Sequence, residues 1–189
     1  MTGSFFTIGH STRSLDEFIA LLRNAGVQRV VDVRAFPRSR SHPQFNGTTL
    51  PDALLSVHLS YEHVAALGGR RGKSSTIPPQ VNGFWTHRSF HNYADYAMSP
   101  AFRAALGHLI ALGHEYACAI MCSEAVWWRC HRRIIADYLM AQGEAVLHIL
   151  GPGHVDAARL TLGAVVQPDG TVTYPAGDAP FADVRPRLR

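Results

Sequence analysis

The sequence predicts an α/β fold, a three-layer sandwich with a mostly parallel, Rossmann-like sheet and a C-terminal hairpin. Three observations carry that expectation. Short β-branched or apolar runs alternate with amphipathic segments along most of the 189 residues, the pattern of βαβ units. Helix start and stop signals fall between those runs. Polar, chemistry-bearing residues follow the runs, where the carboxyl ends of parallel strands would lie.

In chain order, Ser4 to Ile8 reads as the first strand, ending in Gly9-His10-Ser11. Ser14-Leu15-Asp16-Glu17 is a capping box. Leu15, Phe18, Ile19 and Leu22 then form one helical face, stopped by Gly26. Arg29 to Val33 is a second, buried strand. Arg34 to Gly47 is a loop at its carboxyl end. Leu50 to Val57 predicts a short helix and Leu59 to His63 a third strand. Leu67 to Gly83 reads as a long loop that orders on binding. Ser89 to Met98 reads as helical. Ser99-Pro100 starts another helix, with Ser as N-cap and Pro at the first position; Gly113 is expected to stop it. Tyr116 to Met121 is the fourth strand. Gly143 ends the next helix, and Ala145 to Leu150 is the fifth strand. Val165-Val166 and Val172 to Tyr174 predict the hairpin. The organisation expected is one α/β domain over 1–175 and a loose basic tail over 176–189, ending VRPRLR.

Composition narrows the function classes. Hydrophobic residues make 47% and charged residues 17% of the chain, a globular balance. No run approaches the ~18 apolar residues of a membrane span, and the N-terminus shows no basic segment followed by an apolar core and a small-residue cleavage site. A cytoplasmic protein with no membrane partner is expected. Three cysteines are an odd number, better read as thiols than as a disulfide framework. The net charge of +4 permits an anionic partner. Arg34, Arg38 and Arg40, then Arg70, Arg71 and Lys73, then Arg129, Arg132 and Arg133 form three basic clusters, each beside a predicted loop.

Met121 to Arg133, MCSEAVWWRCHRR, is the densest stretch. Cys122, Glu124, Cys130, His131 and three arginines fall within it, with two tryptophans between them. Cys122, after a strand and before a helix, is a candidate nucleophile. The phosphatase pattern of Cys, five residues and Arg does not fit, because Trp128 stands where the arginine is needed. The metal-ligand types Cys122, Cys130, His131 and His10 are present, but the spacing C-x7-C-H is not a zinc pattern. Adjacent Cys130 and His131 would also diverge by about 100° if both were helical. No metal and no cofactor is assigned. Glu124 is a candidate acid or base, with helix capping or an arginine partner as its other reading. Asp32, inside a strand, suits a structural bond to the His10-Ser11 turn or a catalytic role. His10 suits substrate contact or orientation of Asp32. Arg34, Arg38, Arg40 and Arg132 suit phosphate, or for Arg34 and Arg132 an ion pair with Asp32 or Glu124. Phe36, Phe45, Tyr93, Trp127 and Trp128 supply rings that could stack on a base.

TIGHS (Thr7 to Ser11), VDVRAFPRSR (Val31 to Arg40), QFN (Gln44 to Asn46), LGG (Leu67 to Gly69), YADYAM (Tyr93 to Met98) and MCSE with CHR (Met121 to Glu124, Cys130 to Arg132) together resemble the family catalogued as domain of unknown function 488. With the helices between them, these motifs span about residues 5 to 150. The resemblance implies an α/β fold, a nucleic-acid-related role, and a site made of the motif residues. It therefore adds Ser11, Gly69, Tyr93, Cys130 and His131 to the substrate-binding set. The functional expectation is an enzyme that cleaves an anionic substrate, a nucleotide, DNA or RNA, by a hydrolytic or glycosidic route. Glu124, Asp32, Cys122 and His10 are its catalytic candidates. Two alternatives stand beside it: a non-catalytic nucleic-acid-binding module, and a thiol-dependent transferase using Cys122.

Overall fold

The computed structural model describes residues 3–177. Its centre is a six-stranded sheet of β1 (Ser4–Gly9), β2 (Arg29–Asp32), β3 (Ser60–His63), β4 (Cys118–Cys122), β5 (Ala145–Gly151) and β6 (His154–Ala157). The spatial order is β3-β2-β4-β1-β5-β6. The first five strands run parallel and β6 is antiparallel to β5. A small antiparallel ribbon, β7 (Val165–Val166) and β8 (Val172–Thr173), is the expected hairpin.

Alternation along the strands divides the core into two layers. Phe6, Ile8, Val30, Ala119 and Met121 pack on α1 (Leu15–Asn24) and α2 (Leu50–Leu55). Phe5, Val31, Cys118 and Ile120 pack with the opposite layer, built from α3 (Arg88–Ala97), α4 (Pro100–Glu115) and α5 (Arg132–Ala141). The three-layer α/β architecture is thus present. The capping box forms as expected: Glu17 N–H donates to Ser14 Oγ at 3.2 Å, and Ser14 N–H donates to Glu17 Oε2 at 2.8 Å. Gly26 and Gly143 take positive φ, 71° and 84°, just past the ends of α1 and α5.

Three features differ from expectation. Gly113 does not stop α4, which continues to Glu115. A Cβ at Gly113 would fall inside the Phe5 ring, so the glycine is there for helix–sheet packing. The antiparallel strand β6 follows a turn through Gly153, whose φ is +65°, and was not expected. The segment 67–83 contains a short 3-10 turn, Pro79–Asn82, and is pinned to α3. Tyr93 Oη donates to the Leu67 carbonyl and Tyr96 Oη to that of Ala66, both at 2.7 Å. The Arg71 guanidinium lies 3.6 Å from the Tyr96 ring centroid. This loop is therefore held before any ligand arrives. Of the tail expected over 176–189, residues 178–189 lie outside the described residues. No described helix is long and apolar enough to cross a membrane.

Candidate active site at the strand ends

Parallel register places Gly9 of β1 opposite Cys122 of β4, and Asp32 of β2 opposite Met121. The chain leaving β1 is then stitched to the chain leaving β4. His10 N–H donates to the Cys122 carbonyl at 2.9 Å, and Ser11 N–H to the Ser123 carbonyl at 3.0 Å. Gly9 is needed for this approach, because a Cβ there would overlap the Glu124 carbonyl. Ser11 completes the turn with φ +50°, a conformation uncommon for a non-glycine residue.

An open cleft of about 710 Å³ lies at these strand ends. It brings together His10, Ser11, Arg34, Arg38, Gly69, Cys122, Glu124, Cys130 and His131 from the expected set. Asp32, Arg40, Tyr93 and Arg132 are not among its lining residues. Among the other lining residues, four with ionisable side chains escaped assignment to the site: His42, Arg70, His87 and Arg129. Arg70 and Arg129 belonged to basic clusters that the sequence displays. His42 and His87 carry no local signal and arrive by folding alone. Among the described residues, the walls hold four arginines, Arg34, Arg38, Arg70 and Arg129, against one carboxylate, Glu124.

Behind the wall, Asp32 and Arg34 form a buried ion pair. Asp32 is 0% and Arg34 5% exposed. Arg34 Nη2 donates to Asp32 Oδ2 at 2.6 Å, and Nε reaches Oδ1 at 2.9 Å. Arg34 Nη2 also donates to the Phe45 carbonyl at 2.6 Å, and Nη1 lies 3.3 Å from His10 Nε2. Tyr61 Oη donates to Asp32 Oδ2 at 2.7 Å. Burial disfavours the Arg34 charge, but the bonds and field of Asp32 outweigh it and its pKa is raised. Asp32 thus reaches the His10 turn through Arg34 rather than by a direct bond. The His10 ring stacks on Phe45 with centroids 4.3 Å apart. Burial, with Arg34 nearby, lowers its pKa to about 4, so the ring is neutral at pH 7.

Glu124 is exposed, and its carboxylate has no hydrogen-bond partner among the described residues. It cannot cap α5, which begins eight residues later. Arg132 instead binds the Glu124 main chain, its Nη2 donating to the carbonyl at 2.5 Å. Arg132 is 1% exposed and sits behind the cleft, where its Nε donates to Cys130 Sγ at 3.3 Å. Tyr93 is fully buried beneath the site, edge-on to His131 with ring centroids 5.0 Å apart.

All three cysteines are free thiols. Cys122 and Cys130 behave as a pair with unequal acidity. For Cys122, the hydrogen bond with Cys130 and then burial push the thiol up to about 12. Burial opposes ionisation of Cys130 most strongly, yet the bond from Cys122 and the Arg132 guanidinium together bring it down to about 6. Cys130 is followed directly by His131, whose Nδ1 lies 3.5 Å from its sulfur. The divergence expected of a helical pair does not arise. Cys130 is extended, with φ −128° and ψ 148°, and His131 is the residue that enters α5.

Comparison with known proteins agrees with the motifs. No curated protein and no solved structure matches the chain. The family model described as Domain of unknown function DUF488 matches residues 14–139, about two thirds of the sequence. The chain belongs to that family.

Proposed function

We propose that the chain is an enzyme that cleaves an anionic substrate, a nucleotide or a nucleic-acid strand, by a hydrolytic or glycosidic route in the strand-end cleft. The observation that carries the reading is the charge of the walls: among the described residues, the exposed Arg38, Arg70 and Arg129 face one carboxylate around an open cavity, with the Arg34–Asp32 pair buried beside them. Arg pairs bidentately with phosphate oxygens. Phe36 stands 67% exposed at the rim with the Arg70 guanidinium 5.7 Å from its ring centroid, a platform on which a base can stack. A base in a duplex would have to leave its stack to enter. Among the described residues that line the cleft, Glu124 is the one carboxylate, and it takes the acid/base role. Asp32, locked by Arg34 and Tyr61, serves as a positioning residue. The free thiols suit a reducing, cytoplasmic setting.

The test pairs binding with turnover. Replacing Glu124 with Gln removes a negative charge from the cleft and keeps the side chain's shape. Affinity for a labelled single-stranded oligonucleotide holds or rises, while cleavage disappears. Cleavage that persists in E124Q removes Glu124 from the mechanism. Binding in the native chain with no cleavage of any nucleotide or strand leaves a binding module. No binding at all leaves a small anionic metabolite as the better substrate class.

A thiol-dependent transferase is the second reading. One observation favours it and also moves its nucleophile: Arg132 Nε bonds Cys130 Sγ, not Cys122.

A further inference from the structure

Two thiols and an imidazole converge on the floor of the cleft. Cys122 comes from the end of β4, and Cys130 and His131 from the entry to α5. Their ligand atoms all lie within 4.8 Å of one another. A tetrahedral zinc with Zn–S of about 2.3 Å and Zn–N of about 2.0 Å sets sulfur and nitrogen about 3.5 Å apart and two sulfurs about 3.8 Å apart. Cys130 Sγ and His131 Nδ1 already stand at 3.5 Å.

The orientation of His131 is the second observation. Its Nε2 lies 3.0 Å from the Val33 carbonyl oxygen. A carbonyl only accepts, so Nε2 carries the hydrogen and Nδ1 is left with a lone pair facing the sulfurs. Ligating histidines are commonly fixed in this way, with the far nitrogen donating to a backbone carbonyl. The neighbours fit the same role. Arg132 Nε donates to Cys130 Sγ, as an outer-shell group does to a metal thiolate. Gly69 packs against the face of the imidazole, and a Cβ at that position would come within 2.4 Å of Nδ1. The glycine lets the chain pass over the face of the imidazole without displacing the ring.

We propose that Cys122, Cys130 and His131 form a zinc site at the base of the cleft, with its fourth position open to substrate or water. Two thiolates and one imidazole in a compact set suit zinc among the common divalent ions. All three residues line the cleft that Arg38, Arg70 and Arg129 also line. Three protein ligands with one open position is the catalytic type of zinc site. A bound ion would there act as a Lewis acid beside an anionic substrate. The inference rests on the geometry of the three ligands and not on which substrate the arginines hold.

The test is metal binding by the full, reduced chain without substrate. Titration with cobalt(II) is expected to give a thiolate-to-cobalt charge-transfer absorption that saturates at one ion per chain and is displaced by one equivalent of zinc. Cys130→Ser and His131→Ala each weaken cobalt binding at least tenfold. Gly69→Ala, which keeps all three ligand residues but pushes the His131 ring from its position, does the same. Cys118→Ser, at the far end of β4, leaves the titration unchanged. Should a ligand variant fail to fold, the native chain still decides: zinc protects Cys122 and Cys130 from alkylation, mapped by mass spectrometry. Absence of the charge-transfer band, its survival in folded Cys130→Ser, or equal alkylation with and without zinc overturns the site. Oligonucleotide binding is read separately, so either proposal can fail while the other stands.

Discussion

The Asp32–Arg34 pair offers the sharpest test of how the cleft is held. Asp32→Asn keeps the side chain's shape and strands the Arg34 guanidinium, 5% exposed, with the Phe45 carbonyl and His10 as its remaining partners. Breaking a buried pair by removing one charge costs about 3–5 kcal/mol. With a urea dependence of about 2 kcal/mol/M, the unfolding midpoint falls by about 2 M. Arg34→Met strands the carboxylate instead. Tyr61 Oη and the Arg34 main-chain N–H, at 2.7 and 3.0 Å, still donate to it, so its cost lies nearer 3 kcal/mol, at the low end of that range.

Combining the two changes removes both charges at once, and a buried pair exchanged for neutral groups is often close to neutral in stability. The double variant is therefore expected to lose at least 3 kcal/mol less than the two single losses added together, roughly the cost of one stranded charge. Urea titrations of all four proteins, followed by circular dichroism, measure this coupling. Tyr61→Phe extends the series where a single variant is too unstable to titrate. It removes one bond to a charged group, at about 1.5–3 kcal/mol, and leaves the pair intact. Losses that add to within about 0.5 kcal/mol would show that Asp32 and Arg34 do not act as a unit. The account of Asp32 as a positioning residue would then fail.

Three further outcomes follow from the same geometry. Arg38 lines the cleft and Arg40 does not. In single-stranded oligonucleotide binding, Arg38→Ala should thus lower the slope of log affinity against log salt by about 0.7, while Arg40→Ala leaves it in place; equal slopes in both variants refute the placement. His148 stacks on Trp127 at 4.3 Å, with its Nδ1 2.7 Å from Thr7 Oγ1. Burial, with Arg132 nearby, lowers its pKa to about 3, so its stability contribution is complete above the free imidazole pKa and is lost as pH falls toward 3. The fall in urea midpoint between pH 7 and 4 should shrink in His148→Gln, and an unchanged fall counts against this. Asp137 has the opposite sign. Burial raises its pKa to about 6 although Thr161 N–H and Tyr174 Oη donate to it, each at 2.9 Å. The contribution of Asp137 is then greatest below the free carboxyl pKa and declines by about 3 kcal/mol as pH rises through 6. In Asp137→Asn that decline should vanish from the pH profile.

The elements were legible wherever local chemistry decides them. Ser14 with Glu17, and Ser99 with Pro100, announce helix starts because the groups that satisfy the first turn are neighbours in sequence. Glycine was less transparent. Gly26 and Gly113 both follow an apolar helical face, but only Gly26 takes the positive φ of a helix end. Gly113 stays helical because Phe5, more than one hundred residues away in sequence, needs the space. A sequence shows that a glycine is present and not which of its two properties, conformational freedom or small size, is in use. The site divides in the same way. Arg34 was legible as a partner of Asp32, because residues i and i+2 leave an extended chain on one face. The Cys130–His131 pair was not, since its geometry depends on a residue in the extended region directly before a helix. With Cys130 helical, the two ligand atoms would point apart; with it extended, they meet at 3.5 Å. One pair of backbone angles thus separates two residues of unrelated purpose from a common ligand set. That pair is fixed by the Trp127–Arg129 turn and by the Arg132 guanidinium reaching back to the Glu124 carbonyl.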